Sequence, residues 1–532
     1  MMGSMMEYPL TPTHFIERAG SLFGGKEVVT ASDDGDTRHT WAEILERVRR
    51  VVSVLERLDV GPGDRVATLA WNTHRHLELY FGVPAVGAVL HTVNVRLASS
   101  QIEQILAHGG ARVLFMDPDL VDLVGEELLD GLGIEHRVVM ADEAGAGWNS
   151  YEELLAGVEP VQSFPVLDEQ SAAGLCYTSG TTGEPKGVLY SHRALALHAL
   201  GIALPDGFSL SERDTILPAV PMFHANAWGL PHAAAMTGAK LVLPGPRPSS
   251  QRIARLISSE GVTFAAGVPT VWMGVLEELR ASGHSVSDEL RIHSGGAPSA
   301  PSLIEGYRTE LGVEIVTGWG MTEISPVGMA THPRAHMKDW SDDRLLGVRT
   351  SQGTPLPFLE ARIVDDAGEV CAHDGKVPGE LEVRGPWVTA GYFRREAEEA
   401  FHDGWLRTGD VATIDSDGYV RLVDRTKDLI RSGGEWISSV QLEHALMDQD
   451  DVAEAAVVAV PDEKWQERPW ACVVPRGGLE LDLDGLLAPL REVFPRWWVP
   501  DGVLVLEALP RTATGKFDKK ALRERLATDR NG

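Results

Sequence analysis

The chain has few cysteines, and none is placed to form a metal site or a disulfide framework. Its 532 residues include three cysteines, Cys176, Cys371 and Cys472, which lie far apart and form no Cys-x-x-Cys pair. Zinc ribbons and disulfide-stapled secreted domains need closely spaced pairs, so the sequence excludes both classes. This usage is typical of a protein in a reducing compartment.

Long hydrophobic runs and targeting signals are also missing. The most apolar stretch, residues 80–95, is interrupted by glycine, proline and histidine and is too short to span a bilayer. The first ten residues have no basic segment followed by an apolar one, and the last four match no address signal. We therefore expect a cytoplasmic protein that is not integral to a membrane.

Positive charge is scarce as well. Lysine and arginine number 48 against 77 aspartates and glutamates, which gives a net charge of −29. Such a chain is repelled by nucleic acid and by anionic membrane surfaces, so neither is an expected partner. A binding site for an anionic ligand must then be locally positive. The hydrophobic content of 43% is ordinary for a globular protein, and the length predicts several domains.

What the sequence does contain is a repeated alternation of strand and helix patterns. These units predict an α/β fold, with a large N-terminal domain, residues 1–423, built of doubly wound sheets. After about residue 350 short strands split by turn residues predict a small barrel-like β subdomain, 350–423. Charged and glycine-rich residues then interrupt the periodicity, so we place a hinge at 424–430, beginning at Asp424. A small, mobile α+β domain, 431–532, is expected to follow.

The most informative motif is a glycine- and hydroxyl-rich stretch, residues 177–187, with the sequence YTSGTTGEPKG. Glycines let backbone N–H groups turn inward, and together with hydroxyls these form a concave anion site. Lys186 adds a mobile positive charge suited to phosphate. The stretch differs from the Walker pattern because Gly187 follows the lysine. Taken alone, such a cluster is more often a surface loop; its ordered pattern favours a phosphate cradle.

Four further motifs carry chemistry, although each has a plainer interpretation. Trp319, in TGWGMTE, could stack on a base and Glu323 could bind Mg²⁺, or they are a core indole and a surface acid. Asp410, in GWLRTGD, could hold ribose hydroxyls or be a turn aspartate. Arg425, in DRTKDLIRSGGEWIS, could reach ribose or phosphate or belong to a charged linker. Lys516, in PRTATGKFDKKAL, is a loop lysine that would ordinarily be solvated.

Together, in this order and at these separations, the five motifs resemble the adenylate-forming superfamily of acyl-CoA synthetases, luciferases and peptide-synthetase adenylation domains. The resemblance covers nearly the whole chain. It is strongest to bacterial medium- and long-chain fatty-acid–CoA ligases, through VPMFHANAWGLP, GVPTVW and WQERP. It implies ATP-dependent formation of acyl-AMP, followed by transfer of the acyl group to CoA, with ATP, Mg²⁺ and CoA as cofactors.

The resemblance also assigns residues to roles. The catalytic residues would be Lys516, Glu323 and His224, the metal ligands Thr182 and Glu323, and the hinge Asp424. The acyl site would be lined by Phe223, Trp228, Val268, Trp272 and Gly320, and the CoA path by Gly433, Gly434, Glu435 and Trp436. The ATP site would be formed by Thr178, Ser179, Gly180, Thr181, Thr182, Gly183, Lys186, Gly295, Gly296, Ala297, Gly318, Trp319, Gly320, Met321, Thr322, Asp410 and Arg425.

The acid itself stays open. Amino-acid-activating relatives place an aspartate shortly after Phe223 to pair the ammonium, and this chain has none there, which disfavours an amino acid. A medium- or long-chain fatty acid is expected, with a short thioether acid such as 3-methylmercaptopropionate or an aryl acid as alternatives. Transfer to a carrier protein instead of CoA is a further alternative, and one of another class is a non-catalytic ATP-binding regulatory protein. The resemblance also implies a homodimer.

Overall fold

A computed structural model describes residues 3–178, 185–433, 435–478, 481–512 and 516–529. Its helices and strands alternate over most of the chain. The α-helices are α1 Thr13–Leu22, α2 Trp41–Arg57, α3 His74–Ala85, α4 Ser99–Gly109, α5 Glu126–Gly131, α6 Tyr151–Ala156, α7 His192–Ala203, α8 Leu230–Thr237, α9 Ser250–Ser259, α10 Pro269–Ser282, α11 Pro301–Leu311, α12 Asp342–Arg349, α13 Ser439–Met447, α14 Leu483–Val493 and α15 Lys519–Asp529.

The strands fall into four sheets. They are β1 Glu27–Thr30, β2 Thr37–Thr40, β3 Arg65–Leu69, β4 Val89–Thr92, β5 Val113–Met116, β6 His136–Val139, β7 Asn149–Ser150, β8 Ala172–Tyr177, β9 Gly187–Ser191, β10 Thr215–Pro218, β11 Lys240–Leu243, β12 Phe264–Gly267, β13 Arg291–Ser294, β14 Glu314–Gly320, β15 Val327–Ala330, β16 Thr354–Pro355, β17 Glu360–Val364, β18 Gly379–Arg384, β19 Phe401–His402, β20 Trp405–Ile414, β21 Val420–Arg425, β22 Ile430–Ser432, β23 Glu435–Ile437, β24 Val452–Asp462, β25 Gln466–Pro475 and β26 Val503–Val505.

Two large sheets, parallel in their centres, form the N-terminal domain. One has nine strands in the order β16-β15-β14-β13-β12-β10-β11-β1-β2, and the other has seven in the order β7-β6-β5-β3-β4-β8-β9. Antiparallel strands occupy only the edges β2, β15, β16 and β9. The largest apolar core lies between the sheets, where Tyr80 of α3 packs with residues such as Leu90 of β4 and Ile216 of β10. The predicted doubly wound α/β class is confirmed.

Local sequence signals explain where several elements begin and end. Helix α2 starts at the predicted capping box, in which the Thr40 hydroxyl accepts from the Glu43 backbone and the Glu43 carboxylate accepts from the Thr40 N–H. The helix expected from His76 onward ends earlier than its apolar pattern predicts. Gly87 has φ +78°, which closes α3 and starts β4 two residues later.

The smaller β sheet and the C-terminal domain follow. Strands β17-β18-β20-β19, with β21 on β20, form an antiparallel sheet, and β23-β22-β25-β24, with β26 on β25, form a second five-stranded sheet flanked by α13, α14 and α15. The first sheet matches the expected β subdomain. Its last strand runs to Arg425, so the residues expected to start the hinge close this strand.

Within the described ranges, no helix is both long and apolar enough to cross a membrane.

Candidate active site

The carboxyl ends of β8, β13 and β14 border one cleft, which the C-terminal domain covers. Ligands in α/β sheets bind at such ends because loops there are free to vary. The cleft brings together most of the residues assigned from the sequence, from segments up to 338 positions apart. Its lining includes Thr178, Lys186, His224, Trp228, Val268, Gly295, Gly296, Ala297, Gly318, Trp319, Gly320, Met321, Thr322, Glu323, Asp410, Asp424, Arg425 and Lys516.

The expected phosphate cradle lies between the paired strands β8 and β9. Thr178 donates its backbone N–H to the Lys186 carbonyl at 2.9 Å, so both ends of the loop are held together. The Lys186 ammonium lies 4.8 Å from the centre of the Tyr392 ring, a cation–π contact. Ser179, Gly180, Thr181, Thr182 and Gly183 lie outside the described residues. The cradle therefore stays a prediction supported by its two described ends.

Glu323 is a buried acid at the same end of the cleft. Its side chain is 7% exposed, and the Tyr392 hydroxyl donates to its Oε1 at 2.9 Å. Burial raises the pKa of this carboxyl, an effect that the hydrogen bond from Tyr392 and the charge of Lys186 oppose. The backbone carbonyl of Thr322 accepts from Tyr190 at 2.7 Å and fixes the preceding turn. A cation bound here would offset the cost of burying the negative charge.

Asp410 is oriented by two donors. The Trp319 indole N–H donates to its Oδ2 at 2.8 Å, and the Arg425 Nε lies 3.2 Å from its Oδ1. The carboxylate is 3% exposed, which makes both contacts strong. Trp319 is itself 6% exposed and packs in the core of the antiparallel sheet, so only part of its ring borders the cleft. Sequence reasoning expected an open stacking ring and did not foresee its bond to Asp410.

Asp424 connects the antiparallel sheet to the C-terminal domain. Its Oδ2 accepts from the Ser439 backbone N–H at 2.8 Å and from the Ser439 hydroxyl at 2.5 Å, at the start of α13. Lys519 of α15 forms an ion pair with Glu443 of α13 at 2.7 Å, and burial raises the pKa of Glu443. The ion pair ties α15 to α13 within the C-terminal domain, and the Asp424–Ser439 bonds hold that domain in the orientation that closes the cleft. The hinge role of Asp424 stays a prediction.

Lys516 reaches the cleft from the C-terminal domain. Its Cε would lie 3.7 Å from a Cβ built on Gly296, and its side chain borders both parts of the cleft. Burial, and then the neighbouring charge of Arg425, lowers the pKa of Lys516 to about 8, while Asp410 opposes that shift. From the sequence, Lys516 could be either a solvated loop lysine or a catalytic residue. In the structure its side chain borders the cleft.

The loop after β10 carries His224, expected to be catalytic, and Trp228, expected to line the acyl site. Burial, with the charges of Lys516 and Arg96, lowers the pKa of His224 to about 4, so its imidazole is neutral. Residues 225–228 all have positive φ, between 43° and 56°, which is costly for side-chain-bearing residues. The Trp228 indole rests on Gly295, where an added Cβ would lie 3.3 Å from its Cη2. Strained backbone thus positions this ring over the cleft wall.

Two residues expected to line the acyl site are elsewhere. Trp272, at 0% exposure, packs on Gly267 in the core on the outer face of the nine-stranded sheet, and its N–H donates to the His293 carbonyl at 3.3 Å. Phe223, at 2%, packs edge-on against Trp71 and under Arg96 beside the seven-stranded sheet. Neither ring borders the cleft in this arrangement, so the structure gives no support to their place in the acyl site, which stays a prediction.

Of the expected CoA-path residues, Gly433, Glu435 and Trp436 belong to the β22–β23 hairpin and do not border the cleft. Gly433, with φ +62°, forms the turn, and Trp436 is 38% exposed beneath the Arg431 guanidinium at 4.2 Å. Glu435 begins β23, and Gly434 lies outside the described residues. In this arrangement the hairpin is separate from the cleft, so the CoA path stays a prediction.

Sequence reasoning missed several cleft residues, among them Tyr392, Lys427 and His293. Lys427 lies two residues after Arg425 in the same motif, DRTKDLIRSGGEWIS, and burial lowers the pKa of its ammonium. His293 stands in a strand whose apolar neighbours predicted only burial. Tyr392 follows a glycine in the loop after β18, and no motif singled it out. A polar residue inside a strand that leads into a glycine loop was the available signal for His293.

Comparison with known proteins agrees with this geometry. The AMP-binding enzyme model matches residues 16–393, and the model for the AMP-binding enzyme C-terminal domain matches 441–516. The chain is 47% identical to a long-chain-fatty-acid–CoA ligase of Thermus thermophilus, over 98% of this chain and 96% of the relative. It is 43% identical to a medium-chain-fatty-acid–CoA ligase of Ectopseudomonas oleovorans, over 99% and 97%. It is 44% identical to a 3-methylmercaptopropionyl-CoA ligase of Ruegeria pomeroyi, over 98% of each.

Solved structures show the same fold. The structure of an anthranilate CoA ligase in complex with anthranoyl-AMP superposes with a TM-score of 0.88 at 24% identity, covering 98% of this chain and 99% of that one. The family models together span most of the chain, and the curated relatives align over nearly its full length. The cleft draws residues from both matched ranges, and Asp410, Asp424 and Arg425 lie between them. The chain therefore belongs to the AMP-binding enzyme family.

Proposed function

We propose that this protein activates a medium- or long-chain fatty acid as acyl-AMP and transfers the acyl group to CoA. The observation that carries the proposal is the position of Lys516, which borders the part of the cleft with Asp410 and the part with Glu323 and Lys186. These two lysines and two acids could together bind a nucleoside triphosphate, with its metal ion, next to the carboxylate of an acid. The relatives that act on fatty acids support the choice of acid.

In the first half-reaction, a carboxylate oxygen of the acid attacks the α-phosphorus of ATP. The bond to the bridging oxygen breaks and pyrophosphate leaves, giving a mixed anhydride. Negative charge builds on the phosphoryl oxygens, and Lys516 and Lys186 are placed to offset it. Asp410, held by Trp319 and Arg425, would accept from the ribose hydroxyls. His224, being neutral, would border the reacting carboxylate without adding charge.

Glu323 fits a Mg²⁺ site that is completed by the nucleotide. No group of three or more potential metal-ligating side chains occurs among the described residues. Mg²⁺ in phosphoryl-transfer enzymes is commonly held by one or two carboxylates with phosphate oxygens and water, so a single buried carboxylate suffices. Thr182, outside the described residues, is the second proposed ligand. The ion would supply positive charge to the phosphates, while Tyr392 orients the Glu323 carboxylate.

In the second half-reaction, the CoA thiolate attacks the acyl carbon and the bond to AMP breaks. Lys516 fills the cleft in the present arrangement, whereas Gly433 and Trp436 lie outside it. We infer that the C-terminal domain rotates about Asp424 and exchanges the loop of Lys516 for the β22–β23 hairpin. The bonds from Ser439 to Asp424 would break in this step.

The experiment that tests this function measures AMP formation with and without CoA across saturated acids of increasing length. The proposal expects CoA-dependent AMP from medium or long acids. A maximum at 3-methylmercaptopropionate or at an aryl acid would select one of those alternatives instead, and the first has a named relative at 44% identity. Absence of pyrophosphate release with every acid would leave only the non-catalytic regulatory alternative. If a phosphopantetheinylated carrier protein accepted the acyl group in place of CoA, the carrier-protein alternative would be correct.

We further propose a cytoplasmic homodimer, an expectation that rests on resemblance to dimeric ligases.

Trp319→Phe is expected to weaken the use of ATP by about tenfold in kcat/KM, the scale of one hydrogen bond to a charged group. Phenylalanine keeps an aromatic face and removes the N–H that orients Asp410. The measurement compares ATP with 2′-deoxy- and 3′-deoxy-ATP in both proteins. The penalty should shrink with the deoxynucleotide whose missing hydroxyl Asp410 binds. An equal penalty for all three nucleotides would mean that Trp319 acts only by stacking or packing.

Trp228→Ala is expected to shift the preferred acid toward longer or bulkier chains, with the KM for ATP changing less than about twofold. The indole covers Gly295 and Gly296 at the cleft wall, so its removal opens space there. The measurement is kcat/KM for a series of acids, with Trp272→Phe as a core control because that ring does not border the cleft. An unchanged acid profile would leave Trp228 as packing alone.

A further inference from the structure

His293 borders the cleft from beneath its glycine-rich wall. It is the third residue of β13, directly before the loop that contains Gly295 and Gly296, and it is 2% exposed. Its imidazole lies between two aromatic rings, with centroids 4.3 Å from Phe208 and 5.6 Å edge-on from Trp228. The ring therefore sits beside the proposed acyl site, next to the indole that covers the wall.

The absence of a side chain at Gly318 leaves the space that the His293 imidazole occupies at the cleft wall. A Cβ built on Gly318 would lie 2.5 Å from His293 Cε1 and 2.8 Å from Nε2, closer than side chains approach. The Cε1–Nε2 edge of the ring therefore packs directly on the backbone of Gly318, which lines the cleft. Any larger residue at 318 would displace the histidine.

The ring is a hydrogen-bonding group without a partner. Nδ1 is buried without a partner among the described residues, so a ligand in the cleft does not reach it; Nε2, which lies against the cleft-lining Gly318, is the ring nitrogen on the cleft side. Burial, with a smaller contribution from His332, lowers the pKa of His293 to about 3, so the imidazole is neutral and offers one donor and one acceptor. An unpaired buried polar group is unfavourable, and an apolar residue would line a hydrocarbon channel at lower cost.

Two other buried histidines, His192 and His232, lack hydrogen-bond partners among the described residues and can be compared with His293. Both ring nitrogens of His192 and of His232 also lack partners within the described chain. Neither residue borders the cleft, so their imidazoles can only contribute to packing. His293 differs because its Cε1–Nε2 edge lies at the cleft lining, where a bound acid could form a hydrogen bond with Nε2.

We propose that His293 is a specificity-determining residue that hydrogen-bonds an oxygen substituent on the acyl chain. The preferred acid then carries a hydroxyl or oxo group in addition to its carboxylate. This inference rests on the proposed function and narrows its substrate class. A site built to pair a substrate hydroxyl discriminates strongly against the analogue that lacks it, because its own polar group is left unpaired.

The test compares octanoate with the series of its monohydroxylated and mono-oxo derivatives, as kcat/KM for CoA-dependent AMP formation. The wild-type protein is expected to favour at least one oxygenated acid over octanoate by about tenfold or more. His293→Leu should abolish that preference, and His293→Gln should restore part of it because glutamine can still hydrogen-bond. Calorimetry should measure the affinity of each acid for the Lys516→Ala protein, and the acids should rank by affinity in the same order as by kcat/KM.

His192→Leu is the matched control, because it removes a buried, unpartnered imidazole away from the cleft. It should keep the wild-type ratio between oxygenated and plain acid. Thermal unfolding shows whether each variant is folded, and the comparison is made only among folded variants; should His293→Leu fail to fold, the glutamine variant and the wild-type preference decide.

Two outcomes would overturn the inference. One is a wild-type protein that turns over octanoate as well as every oxygenated derivative, which leaves the ligase function intact. The other is a preference that His293→Leu does not change. Absence of CoA-dependent AMP with all acids would instead contradict the proposed function itself.

Discussion

Lys516→Ala is expected to lower the rate of acyl-AMP formation by about 100-fold or more, the scale for removing one preorganised electrostatic group. The same variant should convert supplied acyl-AMP and CoA to thioester at a near-normal rate, because the proposed rotation removes the lysine from the cleft in that half-reaction. The measurements are pyrophosphate release without CoA and thioester formation from synthetic acyl-AMP. Lys338→Ala, which changes an exposed lysine outside the cleft, is the control.

The pKa of Lys516 adds a pH dependence to this prediction. The pKa lies near 8 because the ammonium is buried beside Arg425. The protonated form offsets the phosphoryl charge, so adenylation should fall as pH rises through about 8 and stay level below it. Lys516→Arg keeps its charge at high pH and should lose this alkaline decline, although at a lower rate. If the decline persisted in the arginine variant, another group would control it. Equal loss of both half-reactions in Lys516→Ala would contradict the two-conformation mechanism.

Glu323→Gln is expected to lower adenylation by about 100-fold at limiting Mg²⁺, because removal of a charged ligand weakens both ion binding and charge neutralisation. Glutamine keeps the size of the side chain and can still accept from Tyr392. The measurement is pyrophosphate release titrated with Mg²⁺, and part of the loss should be recovered at high concentration. An effect that is independent of Mg²⁺ would rule out the role of Glu323 as a ligand.

Tyr392→Phe separates orientation from ligation. It removes the hydroxyl that donates to Glu323 at 2.9 Å and leaves the carboxylate in place. We expect a loss of about tenfold or less in adenylation and a smaller rise in the Mg²⁺ requirement than Glu323→Gln causes. A larger effect from the tyrosine variant than from the glutamate variant would mean that Tyr392 contacts the nucleotide directly.

The fold was predictable from the sequence to the extent that local patterns control it. The capping box at Thr40 starts α2 as expected, and the apolar runs of β3, β5 and β12 become buried parallel strands. These features depend on residues within one turn or one strand, so a short window contains the cause. The end of α3 was less predictable, since its apolar pattern continues past the glycine that closes it.

The candidate site was predictable in its residue types but not in its contacts. The motifs identified Asp410, Trp319 and Lys516 because the types and spacings are distinctive. The indole–carboxylate bond joins residues 91 positions apart, and its existence depends on how the antiparallel sheet packs on β14. Trp272 was expected at the acyl site and packs in the outer core in this arrangement, since a helix side chain can face either the cleft or the core and the sequence does not show which.

The sequence by itself determined the family resemblance, the net negative charge that a cleft for ATP must locally overcome, and the residues available for phosphate and ribose. Only the tertiary structure decided which of them meet, that Lys516 closes the cleft while the β22–β23 hairpin stays outside, and that an unpaired imidazole borders the proposed acyl site. Strand and helix patterns arise from neighbours along the chain. The meeting of distant side chains depends on sheet packing and domain orientation, which no local pattern encodes.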